Sequence, residues 1–176
     1  MSLPANNGFN TERLLLTPTT IEDAPFIFEL LNTPKWLEHI GDRNINSIKD
    51  AENYIREKII PNFKTNGAGN YTVVRKDDGT KIGSCGLYDR DGVEGIDIGY
   101  AFLPNYEGMG YAFEAASKIK TIATTNFGIT TISAITSQTN FRSQKLLEKL
   151  EFEFQNLITI PNDPEQLMLY KFNAIK

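Results

Sequence analysis

The order of strand-like and helix-like segments constrains the fold more than any other feature of this sequence. Runs rich in β-branched and aromatic residues predict strands, and apolar residues at helical spacing predict helices between them. The strands are predicted over 13–17, 71–74, 81–88, 96–102, 130–136, 152–160 and 167–172, and the helices over 20–33, 47–61, 108–127 and 140–150. No repeat, linker or low-complexity segment interrupts this order. We therefore expect one mixed α/β domain over 1–176, with residues 1–10 as a flexible N-terminal extension.

Composition argues against several classes of function. The 176 residues carry a formal net charge of −4, whereas a protein that binds nucleic acid usually presents a dense basic face. The N-terminus lacks the pattern of a signal peptide, and no apolar run approaches the ~18 residues of a membrane helix. We therefore expect a cytoplasmic protein with no nucleic-acid or membrane partner. An acidic chain also suits an amine-bearing partner.

Cys85 and His39 are the only cysteine and the only histidine of the chain. An intrachain disulfide needs two cysteines, and metal clusters and Ser–His or Cys–His triads draw on several such residues. We therefore expect no metal site and no nucleophilic triad.

A glycine loop between a strand and a helix carries the strongest chemical signal. Gly108 and Gly110 follow the strand that ends at Pro104, and they open the next helix. Glycines let the backbone approach a ligand, and a helix N-terminus offers unpaired N–H groups and partial positive charge to a phosphate. A Walker loop is excluded because no Gly-Lys-Ser/Thr is present, and a dinucleotide fingerprint is disfavoured because Phe113 stands at its third glycine. A diphosphate loop and a tight turn without ligand remain as interpretations.

Three segments in the second half of the chain then form a recognisable set: DIGYAFLP at 97–104, GMGYAFEA at 108–115 and TNFRSQKLLEKLEF at 139–152. They resemble the acetyl-CoA motifs of the GNAT acetyltransferase superfamily, in the RimJ/RimL-like branch of ribosomal-protein N-terminal acetyltransferases. The resemblance covers residues 11–172. It implies a central, mostly antiparallel sheet of six to seven strands, about four flanking helices, and a V-shaped splay between strands 96–102 and 131–137.

The resemblance also implies acetyl-coenzyme A as the acyl donor. Its pantetheine arm would lie in the splay and pair with the backbone near Ala101, Phe102 and Leu103. Asn105 stands where the family usually has Arg or Gln, which matters little if backbone groups hold the diphosphate. Those backbone N–H groups would come from Gly108, Met109, Gly110, Tyr111 and Ala112.

Asn140 and Ser143 each carry two interpretations. Asn140 is an excellent helix N-cap, and Ser143 is an ordinary residue of a first helical turn. By resemblance, the Asn140 amide binds the pantetheine arm and Ser143 protonates the leaving thiolate. Glu151 stands where the family usually has glycine, which predicts a left-handed backbone there at a cost of about 1 kcal/mol.

Transfer to an amine also needs a base. Asp97, on the cofactor-binding strand, is the first candidate and would act through water, and Glu94 is the second. An exposed strand carboxylate is the alternative interpretation of Asp97. Tyr100 or Tyr111 is an alternative proton donor to Ser143.

Trp36 and His39 follow the first predicted helix, where the family shapes its acceptor pocket. The resemblance therefore implies that they bind the acceptor substrate. A packing role for Trp36 and an ordinary loop histidine at position 39 are the alternative interpretations.

The sequence thus predicts an acetyl-CoA-dependent N-acetyltransferase. It would move an acetyl group to a primary amine, on a protein N-terminus or a small molecule, by direct attack in a ternary complex without metal. Two other hypotheses remain open: a non-catalytic acyl-CoA-binding module, and a structural or interaction protein on a decayed GNAT frame. A monomer and a homodimer are both compatible with the sequence.

Overall fold

The computed structural model describes residues 8–66 and 68–175, and its strands form one sheet. The strands are β1 (Phe9–Asn10), β2 (Leu14–Pro18), β3 (Asn70–Arg75), β4 (Lys81–Asp89), β5 (Ile96–Phe102), β6 (Thr131–Ser137), β7 (Glu153–Ile158) and β8 (Leu167–Asn173). Their spatial order is β1-β2-β3-β4-β5-β6-β8-β7. All neighbours pair antiparallel except β5 and β6, so the predicted mixed α/β fold with a mostly antiparallel sheet is confirmed.

Helices cover both faces of the sheet. The described residues form α1 (Ala24–Leu31), α2 (Pro34–His39), α3 (Ile48–Tyr54), α4 (Ile60–Asn66), α5 (Tyr111–Thr125) and α6 (Phe141–Lys149), and a π-helical turn at Ile55–Ile59 joins α3 to α4. One core cluster packs α5 and α6 against the strands, with Ile119 and Leu147 fully buried. A second cluster surrounds α1 and α3, with Ile27 and Ala51 at its centre. No helix in the described part of the chain is long and apolar enough to cross a membrane.

The apolar stripe predicted on the helix over 108–127 is confirmed. Of its five predicted positions, Ala116, Ile119 and Ala123 are buried, and Ala112 and Phe127 are half-buried and pack against the same core cluster. Because alanine side chains are short, α5 lies close on β4 and β5. This packing sets the start of α5 beside the end of β5.

β5 and β6 are paired over two rows only. Ile96 pairs with Ile132 and Asp97 with Ser133, and beyond these rows the two strands separate. Each strand stays paired along its other edge, β5 with β4 and β6 with β8. The gap that opens between residues 98–102 and 134–137, called the wedge below, is the splay that the sequence predicts.

A group of buried and half-buried polar side chains on β3 and β4, with Thr19 beside them, is hydrogen-bonded together. Asn70 Oδ1 accepts hydrogen bonds from Ser84 Oγ at 2.6 Å and from Tyr88 OH, and Asn70 Nδ2 donates to Thr19 Oγ1 at 2.8 Å. Thr19 Oγ1 and Thr72 Oγ1 lie 2.9 Å apart. These five residues are called the paired patch below. Buried hydroxyl and amide groups cost little when they bond to one another in this way.

The sheet has one more strand than the six to seven predicted. The additional strand, β1, pairs with β2 through Phe9 and Asn10. We expected a flexible extension over residues 1–10, of which positions 1–7 lie outside the described residues. At Phe9–Asn10 the chain is a strand instead, because backbone pairing with β2 is available there.

The helix predicted over 20–33 does end before Pro34, since α1 stops at Leu31, but the sequence does not predict the helix that begins at Pro34. Pro34 opens α2, at the first helical position where a missing N–H is not needed. Thr33 caps this helix, because its Oγ1 accepts from the N–H of Trp36 at 3.4 Å. If α3 and α4 are taken as one continuous helix, the described residues form five helices, one more than the four predicted.

Pro61 was also predicted to end a helix, and the helix instead continues through it to Asn66. In the π-helical turn just before it, Ile60 donates to the carbonyl oxygen of Ile55, five residues back. That wider turn shifts the hydrogen-bond ladder by one residue immediately before the proline. The helical backbone therefore persists in spite of the N–H that Pro61 lacks.

Candidate active site

The glycine loop lies at the mouth of the wedge, between the end of β5 and the start of α5. Gly108 and Gly110 have φ values of 74° and 83°, a left-handed conformation that favours glycine. Gly110 is the N-cap of α5, so N–H groups of the first turn have no helical partner. Residues 108–110 are exposed, with Met109 at 51%. The loop therefore presents its backbone to a ligand, as the diphosphate interpretation requires.

Side chains from the start of the chain hold this loop in place. Glu114, in the first turn of α5, accepts from Thr11 Oγ1 at 2.6 Å and from Arg13 Nε at 2.7 Å. Burial raises the pKa of Glu114, but these hydrogen bonds outweigh it and lower the pKa overall. Arg13 also donates to Met109 O at 3.0 Å, and its guanidinium lies 4.3 Å from the centre of the Tyr111 ring. The loop is therefore anchored to β2 as well as to α5.

Two of the three backbone positions predicted to pair with the pantetheine arm are directed at the neighbouring strand β4 instead. Leu103 N–H donates to Ile82 O at 2.9 Å, and Leu103 O accepts from Tyr106 N–H at 3.0 Å. Backbone groups alternate between the two edges of a strand. Ala101 therefore directs its backbone at β4, like Leu103, and Phe102 directs its backbone at the wedge. Among the three, Phe102 is the position that can pair with a ligand.

Tyr100 and Ser143 come together at the wedge. The Tyr100 hydroxyl and Ser143 Oγ are 2.9 Å apart, and either can donate. Burial raises the pKa of the Tyr100 phenol, although the hydrogen bond to Ser143 offsets part of the rise. The phenol therefore stays protonated at neutral pH, and the pair can donate a proton.

Asn140 caps α6, which confirms one of its two interpretations. Its Oδ1 accepts from the N–H of Ser143 at 3.2 Å. The oxygen is thus used by the helix, and the Nδ2 group is what Asn140 can offer to a ligand. Its contact with the pantetheine arm stays a prediction.

Asp97 is buried, so its interpretation as an exposed carboxylate is wrong. It is 1% exposed, and its Oδ2 accepts from Arg90 Nε at 3.1 Å. Its Oδ1 is buried with no hydrogen-bond partner in the described residues. Burial raises the pKa of Asp97 to about 6, although Arg90 lowers it in part. Because side chains alternate along a strand, Asp97 and Tyr100 lie on opposite faces of β5, while Glu94 is exposed.

The helix α2 places Trp36 and His39 beside the open end of β6. His39 Nδ1 and Ser137 Oγ are 3.1 Å apart, and Ser137 is the last residue of β6. Trp36 packs against the core cluster around α1, which fits its packing interpretation. Its Nε1 is buried and has no hydrogen-bond partner among residues 8–66 and 68–175. The role of both residues in binding an acceptor stays a prediction.

An ion-pair network that the sequence does not predict spans the mouth of the wedge. Glu107 Oε2 pairs with Arg142 Nη1 at 2.7 Å and with Lys35 Nζ. Glu107 lies in the loop after β5, Arg142 in α6 and Lys35 in α2, so the network links the two sides of the gap. Arg142 Nη2 also lies 3.6 Å from the point where a side chain on Gly108 would begin. The three residues are 35 and 72 positions apart, so no local spacing signals the contact.

Thr136 is a second residue that sequence reasoning missed. It is 6% exposed, and its Oγ1 is buried without a hydrogen-bond partner in the described residues. A threonine in a β-branched strand predicts packing rather than chemistry, so nothing in the sequence marks it.

The arrangement offers proton donors on one face of β5, a carboxylate on the other and exposed amides at the mouth. Such groups can orient a substrate, move protons and stabilise developing charge. Within the described residues, no group of three or more His, Cys, Asp or Glu is placed to hold a metal ion.

Known proteins share this sequence pattern and this fold. The family described as Acetyltransferase (GNAT) domain matches residues 13–153. The N-acetyltransferase p20 of Bacillus licheniformis is 28% identical over 150 residues, which cover 84% of this chain and 83% of that protein.

Two solved structures superpose on most of the chain. The ribosomal L7/L12 α-N-protein acetyltransferase RimL, in complex with coenzyme A, has a TM-score of 0.79 at 14% identity, over 94% of this chain and 97% of its own. The microcin C7 self-immunity acetyltransferase MccE, in complex with acetyl-CoA and AMP, has a TM-score of 0.81 at 16% identity, over 96% and 97%. At these identities the two structures establish the shared fold.

Proposed function

Because the chain belongs to the GNAT acetyltransferase family, we propose that it transfers the acetyl group of acetyl-coenzyme A to a primary amine. The observation that carries the proposal is the wedge, which has the exposed glycine loop at its mouth and the Tyr100–Ser143 pair inside. RimL and MccE, which share the fold, are bound to coenzyme A and to acetyl-CoA. Their ligands support the same donor for this chain.

The residues of the wedge suit a thioester donor in three ways. The N–H groups of residues 108–112, of which 108–110 are exposed, suit a diphosphate, because the start of α5 combines unpaired donors with the positive end of the helix. The free edge of β5 at Phe102 suits an extended arm that adds to the sheet as a strand does. The Nδ2 group of Asn140 suits an amide oxygen of that arm.

The chemistry divides between the two faces of β5. Asp97 accepts, through water, the proton that the acceptor ammonium loses. The amine nitrogen then forms a bond to the carbonyl carbon, and the carbon–sulfur bond breaks. Tyr100 and Ser143 together donate a proton to the leaving sulfur, and the second proton that the nitrogen loses as it becomes an amide replaces the one that the pair has given up. A carboxyl whose pKa lies near 6 is ionised at neutral pH and is a stronger base than an ordinary aspartate.

The acceptor would approach from the side of α2, where Trp36 and His39 lie. The Nε1 group of Trp36 is a buried donor that an oxygen of the acceptor can satisfy. Both a protein N-terminus and a small amine fit this description. RimL acts on a protein N-terminus, and this favours a peptide acceptor for the present chain as well.

The test combines binding with turnover. A titration with acetyl-CoA should raise the melting temperature, because a ligand that binds the folded state stabilises it. A mass-spectrometric screen of N-terminal peptides, polyamines and amino sugars should then show one acetylated product, with an equal amount of free thiol. A melting shift without any product or thiol would leave only the non-catalytic acyl-CoA-binding module. No shift at millimolar acetyl-CoA would contradict both.

A further inference from the structure

Three buried side chains of β6 carry a hydroxyl group, and only two of these hydroxyls have partners in the described residues. Ser133 Oγ donates to Glu94 O at 3.3 Å, and Ser137 Oγ lies 3.1 Å from His39 Nδ1. Thr136 is 6% exposed, and its Oγ1 has no partner there. A buried hydroxyl without a hydrogen bond lowers the stability of a protein, so each such group in a native fold calls for an explanation.

The position of Thr136 in the wedge supplies that explanation. Asp97 and Ser133 form the last paired row, and Tyr100 and Thr136 each lie three residues beyond it. At about 3.3 Å per residue, both side chains stand roughly 10 Å up the gap from the row where it closes. Thr136 is therefore level with the Tyr100–Ser143 pair. Along its other edge it is paired with Met168, so the wedge is the open side of this strand position.

Strand alternation also places Thr136 on the same face as Tyr100. Ile132 and Ala134 belong to the core cluster beneath α5 and α6, and Tyr100 packs against the same cluster. Thr136 is two residues beyond Ala134, so its side chain shares that face. Tyr100, Ser143 and Thr136 thus supply three hydroxyl groups at one level of the wedge.

We propose that Thr136 Oγ1 is a further substrate-binding group, which donates a hydrogen bond to the thioester end of the acyl donor. This inference rests on the proposed function. The level of the wedge that holds the Tyr100–Ser143 proton donor is where the reacting sulfur and carbonyl would lie. Both the carbonyl oxygen and the sulfur are hydrogen-bond acceptors: the oxygen gains negative charge as the amine attacks, and the sulfur gains it as the carbon–sulfur bond breaks. A donor held in a buried site, already free of competing partners, stabilises that charge more than the neutral thioester.

Thr136→Val is the decisive substitution, because valine keeps the shape of threonine and removes the hydroxyl. The melting temperature without ligand should stay unchanged or rise, since the variant no longer buries an unpaired polar group. The kcat for acetyl transfer should fall about tenfold, with a smaller change in KM. Thr136→Ser restores the hydroxyl and should recover most of kcat.

Thr72→Val is the matched control. Thr72 is fully buried on β3, and its hydroxyl lies 2.9 Å from Thr19 Oγ1 in the paired patch. This variant should lower the melting temperature, because it removes one of the two hydrogen bonds of the buried Thr19 hydroxyl. Its kcat should stay within about twofold of that of the unchanged protein.

Three results separate the possibilities. A Thr136→Val protein that keeps full kcat would overturn the inference and leave the proposed function intact. A Thr136→Ser protein as slow as Thr136→Val would also overturn it, because shape and not the hydroxyl would then matter. If Thr136→Val fails to fold, Thr136→Ala replaces it with the same expected loss of kcat. An unchanged protein that neither binds nor consumes acetyl-CoA would instead refute the proposed function itself.

Discussion

The paired patch and the wedge both bury polar side chains, yet they satisfy them differently. In the paired patch, on β3 and β4, Asn70 joins Ser84, Tyr88 and Thr19 in one hydrogen-bonded group. In the wedge, the hydroxyl of Thr136 has no partner in the described residues, and neither has one oxygen of Asp97 in the row where the wedge closes.

The continuity of the sheet accounts for this difference. β3 and β4 are paired along most of their length, so side chains on neighbouring strands meet and bond. β5 and β6 are paired over two rows only, of which Asp97 belongs to the last, so Thr136, three residues beyond that row, has no neighbour strand on the side of the wedge. The comparison teaches that a buried polar group contributes to stability where the sheet is closed, and is available to a ligand where the sheet is open. Substitutions in the two regions should therefore separate stability from activity.

The largest effect is expected for Asp97→Asn at the wedge. Loss of the base should lower kcat by about 10²-fold, while the isosteric amide keeps the packing. Arg90 is left without its carboxylate, but its side chain is 30% exposed and can reach solvent. Steady-state kinetics beside a melting curve test this. If kcat is unchanged in Asp97→Asn, Asp97 is not the base, and Glu94→Gln is the next substitution to measure.

The same variant gives a pH signature of stability. Burial raises the pKa of Asp97 from 3.8 to about 6, so between these pH values the folded chain holds a proton that the unfolded chain has released. The contribution of Asp97 to stability is therefore present below pH 3.8 and is lost as the pH rises through about 6. Asp97→Asn does not titrate there. Its melting temperature, relative to that of the unchanged protein, should be higher at about pH 8 than at about pH 4.

In the paired patch, Asn70→Ala should have the opposite character. It removes the partner of three side chains, two of which, Ser84 and Thr19, are buried. We expect a loss of about 2–3 kcal/mol in the free energy of unfolding, or a fall of roughly 4–12 °C in melting temperature. At a temperature where the variant is folded, its kcat should match that of the unchanged protein. A variant with normal stability and low kcat would break the comparison.

A smaller effect is expected for the proton donor. Tyr100→Phe removes one hydroxyl of the pair with Ser143, and kcat should fall about tenfold while acetyl-CoA binding is retained. Tyr111→Phe is the matched control, because Tyr111 is the alternative donor and lies at the start of α5. If Tyr111→Phe is the slower variant, the donor lies at the loop rather than inside the wedge.

The smallest effect is expected at the mouth of the wedge, where charged groups rather than buried ones should set the affinity for acetyl-CoA. Glu107 holds Arg142 and Lys35 in ion pairs beside the glycine loop. Glu107→Gln removes a negative charge close to where a diphosphate would bind, and it releases Arg142. Acetyl-CoA should therefore bind about two- to fivefold more tightly by calorimetry at low salt, and the gain should fade at high salt. Weaker binding at low salt would show that the network supports the loop rather than competing with the ligand.

The glycine loop is predictable from local chemistry, whereas the wedge follows from the family resemblance of the motifs at 97–104, 108–115 and 139–152. Left-handed φ values at Gly108 and Gly110 need glycine. The prediction of a left-handed backbone at Glu151, where the family usually has glycine, is also confirmed, since the φ of Glu151 is 70°.

What the sequence could not predict depends on context or on distant contacts. Pro34 predicts the end of α1 correctly, but the start of α2 at the same residue depends on the N-cap that Thr33 provides in the folded chain. The Glu107–Arg142 pair and the buried hydroxyl of Thr136 arise only when α6 and β6 come to lie across the wedge from β5. Pairing between elements far apart in the chain leaves no periodic signal in the residues that make it.

The two shared rows between β5 and β6 have a consequence for how the molecule holds together. They divide the backbone ladder into a block of five strands and a block of three. Side-chain packing under α5 and α6, more than main-chain bonding, keeps these blocks aligned. An extended molecule that lay along both free edges would connect the two blocks, so that they would unfold as a single cooperative unit.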